Sequence, residues 1–393
     1  MIGMYCMLLH AFSQMIKDTT SFTRRKLKLD EVNLVSSYYT QNGDHSAIGG
    51  GIGTEKVTDL ANGLELKWVG WDAHGRKNTL TAGMGVDHHT AASQAFISKT
   101  GASRRTDGLR LYPSLDWTRE NEKKGASFSL GAYYSNEFNY KSIGFNAGTT
   151  KKTKNNGEFG LKLSAYLDQV RLIYPSEFEP AGSYGGYDER RHPDYGSSPR
   201  QTYTASLSFS QIINTRLQAS LLLDVVEQHG YLGLPFHRVY FTDGTDAVEN
   251  LPSTRFKLPI GLRMNYFMGD RIILRGYYRY YTDSWGLHAQ TASLEIPVKL
   301  TPFFSISPFY RYYTQTAVNY FAPYEQHLTT DKYFTSNYAL SAFNSNFFGG
   351  GLRMAPPNGL FGTHLSALEI RYGHYTQTTD LVSDVISLHL QFK

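Results

Sequence analysis

Three arginines, Arg271, Arg275 and Arg279, recur at every fourth position in a stretch where apolar and polar residues alternate. On a strand that spacing keeps all three on one face, with about 13 Å between successive members. Arg255, Lys257, Arg263, Arg311 and Arg371 fall on the matching face of nearby alternating stretches, and Glu295 and Glu369 fall there too. A guanidinium stays charged and grips carboxylates and phosphates through a planar fork. Such a set has two main uses. The arginines can pair with the glutamates and stiffen an interior, or an excess of cations can line a path that favours anions. A specifically bound anion is a third. Against lipid, each cation would cost roughly 2–4 kcal/mol at the midplane, so the charged face is expected to be the inner one.

Other chemistry-bearing residues are dispersed. Asp87-His88-His89 precedes Asp107, and the two aspartates could lend oxygen ligands to calcium. Adjacent histidines on an extended chain point to opposite sides and cannot share one metal without a kink. There is no dense D-x-D run, so neither a metal nor a cofactor is expected. The segment Gly49-Gly50-Gly51-Ile52-Gly53-Thr54 lacks the Gly-Lys-Ser/Thr ending of a phosphate loop. Its glycines are expected to allow a bulge or close backbone packing inside the barrel. His88, His89, His229, His237 and His327 are fragments of what a hydrolase would need, but no G-x-S-x-G or H-E-x-x-H motif accompanies them. The chain is therefore expected not to be an enzyme, with a membrane hydrolase as the minor alternative.

The elements that must position these residues follow from period. In 303–315, Phe304, Ile306, Pro308, Tyr310 and Tyr312 alternate with Ser305, Ser307, Phe309, Arg311 and Tyr313. Near the C-terminus, Ile386, Leu388, Leu390 and Phe392 alternate with Ser387, His389 and Gln391. Period two over about ten residues is the pattern of a membrane-spanning strand with an apolar outside and a wet inside. The 393 residues include 41% apolar types, 29 tyrosines and 23 phenylalanines, yet no apolar run long enough for a transmembrane helix. The net charge of +5 is too mild and dispersed to argue for nucleic acid.

Sixteen strands are predicted, with fourteen as the fallback: 31–40, 62–71, 78–86, 108–118, 126–135, 140–149, 157–167, 201–212, 215–226, 255–267, 271–281, 287–299, 303–313, 343–354, 365–375 and 383–392. Connection length provides an independent check. Every long connection (41–61, 87–107, 168–200, 227–254, 314–342) is odd-numbered, and the even ones are mostly short polar turns. Long loops on one rim and short turns on the other mark an outer-membrane barrel with both termini periplasmic. The fold class is thus a single antiparallel transmembrane β-barrel over residues 31–393, with outer-membrane lipids and the barrel-assembly machinery as expected partners. Residues 1–13 read as a signal peptide cleaved after Ser13, and 14–30 as a periplasmic lead-in. The lone Cys6 would leave with the signal. Loop 227–254, with Phe236 and His237, is expected to fold over the mouth. Loop 168–200, with Asp188, Glu189, Arg190, Arg191, His192 and Asp194, is expected to be solvated or to meet a partner.

A short motif recurs: Tyr38-Tyr39-Thr40-Gln41, Tyr280-Tyr281-Thr282-Asp283, Tyr312-Tyr313-Thr314-Gln315 and His374-Tyr375-Thr376-Gln377. The copies end strands one, eleven, thirteen and fifteen in this count. A shared position in the aromatic rim at headgroup level explains them, with ligand stacking as the lesser alternative.

Five stretches, SSYYTQNGDHSAIGGGIGTEKVTDL (36–60), EQHGYLGLPFHRVYF (227–241), LRGYYRYYTDSWG (274–286), PFYRYYTQTAVNYFAPYEQH (308–327) and EIRYGHYTQTTDLVSDVISLHLQFK (369–393), together resemble a Bacteroidota-type family of outer-membrane proteins known only as a domain of unknown function. The resemblance implies a bacterial outer-membrane barrel and a possible small lipoprotein partner. It carries no catalytic residues. The functional expectation is a pore for small solutes, with anions as the candidate class. The alternative is a scaffold or receptor that presents its outer loops to a partner.

Overall fold

The computed structural model describes residues 24–90, 96–98, 101–103, 108–137, 140–172, 175, 178 and 196–393. The expected signal peptide, residues 14–23 of the lead-in, Asp107 and the cluster at 188–194 lie outside the described residues.

Alternating sequence becomes sixteen barrel strands: β1 (Arg25–Asn42), β2 (Val57–Trp71), β3 (Lys77–Thr90), β4 (Gly108–Asn121), β5 (Ala126–Glu137), β6 (Tyr140–Lys152), β7 (Gly157–Arg171), β8 (Ser197–Ile212), β9 (Leu217–Gly230), β10 (Thr254–Met268), β11 (Ile272–Asp283), β12 (His288–Glu295 continuing as Val298–Thr301), β13 (Phe304–Gln315), β14 (Phe343–Met354), β15 (Leu365–Gln377) and β16 (Leu381–Phe392). β12 is split because Pro297 has no N–H to give the ladder. Pairing persists across the break, where Ile296 N donates to Pro308 O (2.9 Å) and Ile273 N to Pro297 O (3.0 Å).

Each strand pairs antiparallel with its neighbour in sequence, and β16 pairs back onto β1 from Val32↔Phe392 to Asn42↔Val382. The sheet therefore closes and leaves no edge, so strand backbone groups are satisfied without water. The first strand starts at Arg25, so 25–30 belong to the wall rather than to a lead-in. That end is irregular, with register shifts between Arg25 and Lys28 and between Leu29 and Glu31.

Period two sorts the side chains. Tyr38, Leu163, Phe145, Leu352 and Ile386 are exposed apolar residues of the outer face, as expected where lipid replaces a protein core. Even-numbered connections are short turns except the ten-residue 355–364. In the first of them Asp72 Oδ1 accepts from His74 N (2.9 Å) and Arg76 N (3.0 Å), while Gly75 takes φ 71°. The long connections all leave from the opposite rim. Three of them, 43–56, 231–253 and 316–342, pack together there.

Candidate functional site

Register fixes what faces inward. Lys257 lies opposite Asp283, Gly261 opposite Arg279 and Arg263 opposite Tyr277. Arg275 lies opposite Glu295 and Arg279 opposite Thr291. Arg311 sits between Ser293 and Phe347, and Arg371 opposite Gly351. All share one face because the side-chain period is two. In the half of the wall nearer the short turns they form a chain of ion pairs. Arg275 Nη1 is 3.4 Å from Glu295 Oε1, which is 3.5 Å from Arg371 Nη1. Arg371 also reaches Glu369 (3.1 Å), and Glu369 reaches Arg353 Nε (3.7 Å).

A contact from β12 to β15 has to cross β13 and β14. Glycine makes room for it: a Cβ on Gly351 would lie 3.1 Å from the Arg371 side chain that runs over it. Arg371 also packs over Phe309 (5.3 Å), and Arg311 over Phe347 (4.8 Å). Among the described residues, Arg263, Arg279 and Arg311 have no carboxylate within ion-pair distance, so the β10–β15 part of the inner wall keeps an excess of cations.

The recurring motif works at the long-loop end of this wall. Its first aromatic faces out: Tyr38, Tyr280 and Tyr312 are exposed, and His374 meets Asp384 (2.8 Å) beside Phe348. The second tyrosine of each copy faces in. Tyr39 donates to Gln41 Oε1 (2.7 Å), Tyr281 to Asp283 Oδ2 (2.7 Å), Tyr313 to Gln315 Oε1 (2.6 Å) and Tyr375 to Gln377 Oε1 (2.7 Å). The held group then grips the departing loop. Gln41 Nε2 donates to Glu55 O (3.2 Å), and Gln315 Nε2 to Ala339 O (3.1 Å) and Ser341 O (2.5 Å). Asp283 Oδ1 accepts from Trp285 N (2.9 Å), and Gln377 Nε2 reaches Thr379 Oγ1 (2.6 Å). Tyr39, Tyr281, Tyr313 and Tyr375 are thus loop clamps on the inner face, not members of the outer girdle.

The clamped loops fold inward as a cap. Trp285, Leu287, Ala289 and Val318 form a buried cluster against Tyr281 and Tyr313 of the wall. Arg255 lies over the Trp285 ring (4.2 Å) while its Nε binds Asp283 (2.9 Å). Further in, His237 is 0% exposed, with Nδ1 donating to Ala47 O and Nε2 accepting from Ser336 N (3.1 Å). Arg238 Nη1 donates to Ile48 O (2.9 Å). Glu249 accepts from Leu234 N (2.6 Å) and from the Thr335 hydroxyl. Burial pushes the Glu249 carboxyl up to about 7. Burial, with His327 nearby, pulls His237 down to about 4. Both groups are thus favoured neutral in the closed cap.

Gly50 and Gly51 explain the glycine-rich run. Both have positive φ, and a Cβ would fall 2.7 Å from the Tyr240 ring or from Ser336 O, respectively. The run packs within the cap and not as a bulge in a strand. The β4–β9 side of the lumen is different in kind. Arg110 binds Tyr133 and Ser135 (3.0 Å each), and Arg200 binds Asp168 (3.0 Å). Arg110, Tyr133, Asp168 and Arg200, with Lys162 and Tyr166, line a cavity of about 570 Å³.

A family model described as "Protein of unknown function (DUF3570)" matches residues 74–381. The chain belongs to the DUF3570 family. No curated protein matches the sequence. Among solved structures, Pseudomonas aeruginosa OpdQ is similar at 10% identity and a TM-score of 0.41, covering 95% of this chain and 99% of that one. The TodX deltaS2S3 mutant monoaromatic hydrocarbon channel is similar at 10% identity and 0.45, covering 92% and 89%. Pseudomonas aeruginosa OccK9 (OpdG) is similar at 9% identity and 0.43, covering 92% and 97%. The barrel assignment rests on the closed strand pairing.

The other residues singled out in this DUF3570 chain fall in several places. Arg271 sits in the turn before β11, outside the ladder its spacing suggested, because Gly269 and Asp270 end the alternation. Asp87 accepts from Tyr112 (2.6 Å) on the inner wall. His88 pairs in register with the outward Leu60, and His89 Nε2 is 3.2 Å from Glu137 on the opposite face. Among the described residues no cluster of three metal-ligating side chains occurs. Sequence reasoning missed Glu249, Thr335 and the inward role of the second tyrosines. The latter was readable, since adjacent residues on a strand cannot share a face.

Proposed function

We propose that this barrel is a non-enzymatic pore of a bacterial outer membrane that passes small solutes and favours anions. The observation that supports the reading is the unbalanced inner wall of β10–β15, where among the described residues Arg263, Arg279 and Arg311 stand without carboxylate partners beside the Arg275–Glu295–Arg371–Glu369–Arg353 chain, itself three cations against two carboxylates. Lining cations raise local anion concentration and lower the barrier to anion entry. The cavity beside Arg110, Lys162 and Arg200 supplies polar room on the β4–β9 side, away from the cap. Outward Tyr38, Tyr280 and Tyr312 suit the lipid headgroup level. The alternation suits assembly by the barrel-assembly machinery.

Planar-bilayer recording of the purified protein under a salt gradient tests this reading. The expected result is a conductance whose reversal potential has the sign of anion preference. Cation preference, or no conductance at all, refutes it.

A second reading is favoured by the packed cap. A mouth held by Glu249, His237 and Arg238 resembles a preformed docking surface more than a set of free loops. On that reading the protein is a scaffold or receptor, with a small lipoprotein as the partner. A stoichiometric partner retained in detergent extracts, together with absent conductance, supports it over the pore.

A further inference from the structure

The inner wall carries two phenylalanines where a wet lumen would favour polar residues. Phe309 of β13 and Phe347 of β14 share the inward face with Arg311, and their rings lie 5.1 Å apart at 44°. Glycine makes room for both. Gly349 and Gly373 are cross-strand partners on β14 and β15. A Cβ on Gly349 would lie 2.9 Å from the Phe309 ring, and one on Gly373 would collide with the Phe347 ring. Glycine weakens a strand, so a strand that keeps it inside the sheet does so where something must come close. Here the rings lie down on the wall.

They do not fill the space. Phe309, Phe347, Arg311, Arg371, Glu295 and Ser293 line a cavity of about 340 Å³. Its cations are accessible: Arg311 is exposed, and the Arg371 side chain is 35% exposed. The two guanidiniums differ in what they have left to give. Arg371 is engaged by Glu295 and Glu369. Arg311 rests on the Phe347 ring (4.8 Å) and, among the described residues, has no carboxylate within ion-pair distance. An apolar pocket with few polar groups fixes a ligand by its body and orients it by its head. The body that suits two phenylalanine rings is a flat aromatic one. The head that suits one guanidinium fork is a carboxylate. A dianion such as phosphate would meet Glu295 on the same wall, and a halide would leave the rings unused.

We propose that the pocket of Phe309, Phe347 and Arg311 binds a small aromatic carboxylate, its ring against the phenylalanines and its carboxylate on Arg311. The proposal deepens the pore reading by naming a solute class, and rests on that reading only for its purpose, because binding is measurable without any current.

Crystals of the detergent-purified protein soaked in para-iodobenzoate, with data collected for iodine anomalous signal, locate the ring. The expected result is a peak inside the cavity, in contact with Phe309 and Phe347. Calorimetry then compares benzoate with two analogues. Benzamide, which lacks the charge, should bind at least tenfold more weakly. Cyclohexanecarboxylate, which keeps the charge but has no π face, should bind roughly three- to tenfold more weakly. Arg311→Gln breaks no ion pair, so heat-modifiable mobility should stay native while benzoate affinity falls at least tenfold. No iodine peak in the cavity of the wild type, or benzoate heat that Arg311→Gln leaves unchanged, overturns the proposal. Equal affinity for benzoate and cyclohexanecarboxylate overturns the aromatic assignment. Benzoate binding at this pocket in a protein that conducts nothing leaves the site standing and removes the pore reading. Anion-selective conductance without benzoate binding does the reverse.

Discussion

Raising pH should loosen the cap through Glu249. Its side chain is buried between loops 231–253 and 316–342, where Leu234 N and the Thr335 hydroxyl hydrogen-bond to it. The carboxyl moves from an ordinary 4.5 to about 7 when the cap is closed. Because the closed-state value is the higher one, this group's contribution is fully present below pH 4.5 and is lost as pH rises through about 7. Alone, a shift of that size corresponds to about 3 kcal/mol, or roughly 300-fold in the closed-to-open ratio, but His237 opposes most of it below pH 6.5. His237 works from the other side. Its closed-state value lies near 4, below the usual 6.5, so its contribution is present above pH 6.5 and lost as pH falls through 4. The cap should therefore be tightest between about pH 5 and 6.5. Among the described residues, His327, 3.5 Å from Asp331, and Arg238 are the other buried titratable or charged groups there. Hydrogen exchange of residues 234–249 and 334–337, corrected for intrinsic rates, measures the opening directly. With both groups counted, protection should fall about two- to threefold between pH 6 and 8.5. Glu249→Gln, a neutral isostere whose Oε1 can still accept from Leu234 N while its Nε2 donates to the Thr335 hydroxyl oxygen, should remove that fall. Protection that rises with pH, or a Glu249→Gln slope equal to wild type, refutes the reasoning.

Three further outcomes follow from named contacts. Glu295→Gln frees Arg275 and Arg371 from their shared partner, so the reversal potential should move further toward anion preference while heat-modifiable mobility stays native. Gln315→Ala removes both grips on Ala339 O and Ser341 O. It should cost the cap about 1–3 kcal/mol, seen as faster proteolysis of loop 316–342 with the barrel intact. Deleting Ile386–Lys393 strips β16 of its pairing to both β1 and β15. Closure should fail, and the protein should lose its heat-modifiable band on electrophoresis.

The wall was legible because lipid and water impose a period of two on every strand, and that period is local. Even Gly- and His-bearing β2 and β3, and Gly349–Gly351 of β14, declare themselves through their neighbours. The cap was not legible. His237 meets Ala47, and Glu249 meets Thr335, across long separations joined by irregular chain. No periodicity encodes such contacts; only Phe236 and His237 hinted that this loop turns inward.

The recurring motif sits between these two regimes. Its four residues divide their labour by parity. The first aromatic answers to the lipid, the second tyrosine to the lumen, and the terminal Gln or Asp, two positions on, shares the tyrosine's face and can only be held there. Where a strand must release its chain into a long loop, as at Gln41 and Gln315, the held amide turns its N–H groups to the loop backbone. At Gln377 the following connection is three residues long, and the amide spends itself on Thr379 within the turn. Asp283 offers no N–H, and there the relation inverts: its oxygens receive Trp285 N and Leu287 N. The same four positions thus carry one device, a phenol that orients a planar group so that it fixes how the chain leaves the wall. The donor or acceptor character of that group matches what the departing backbone presents.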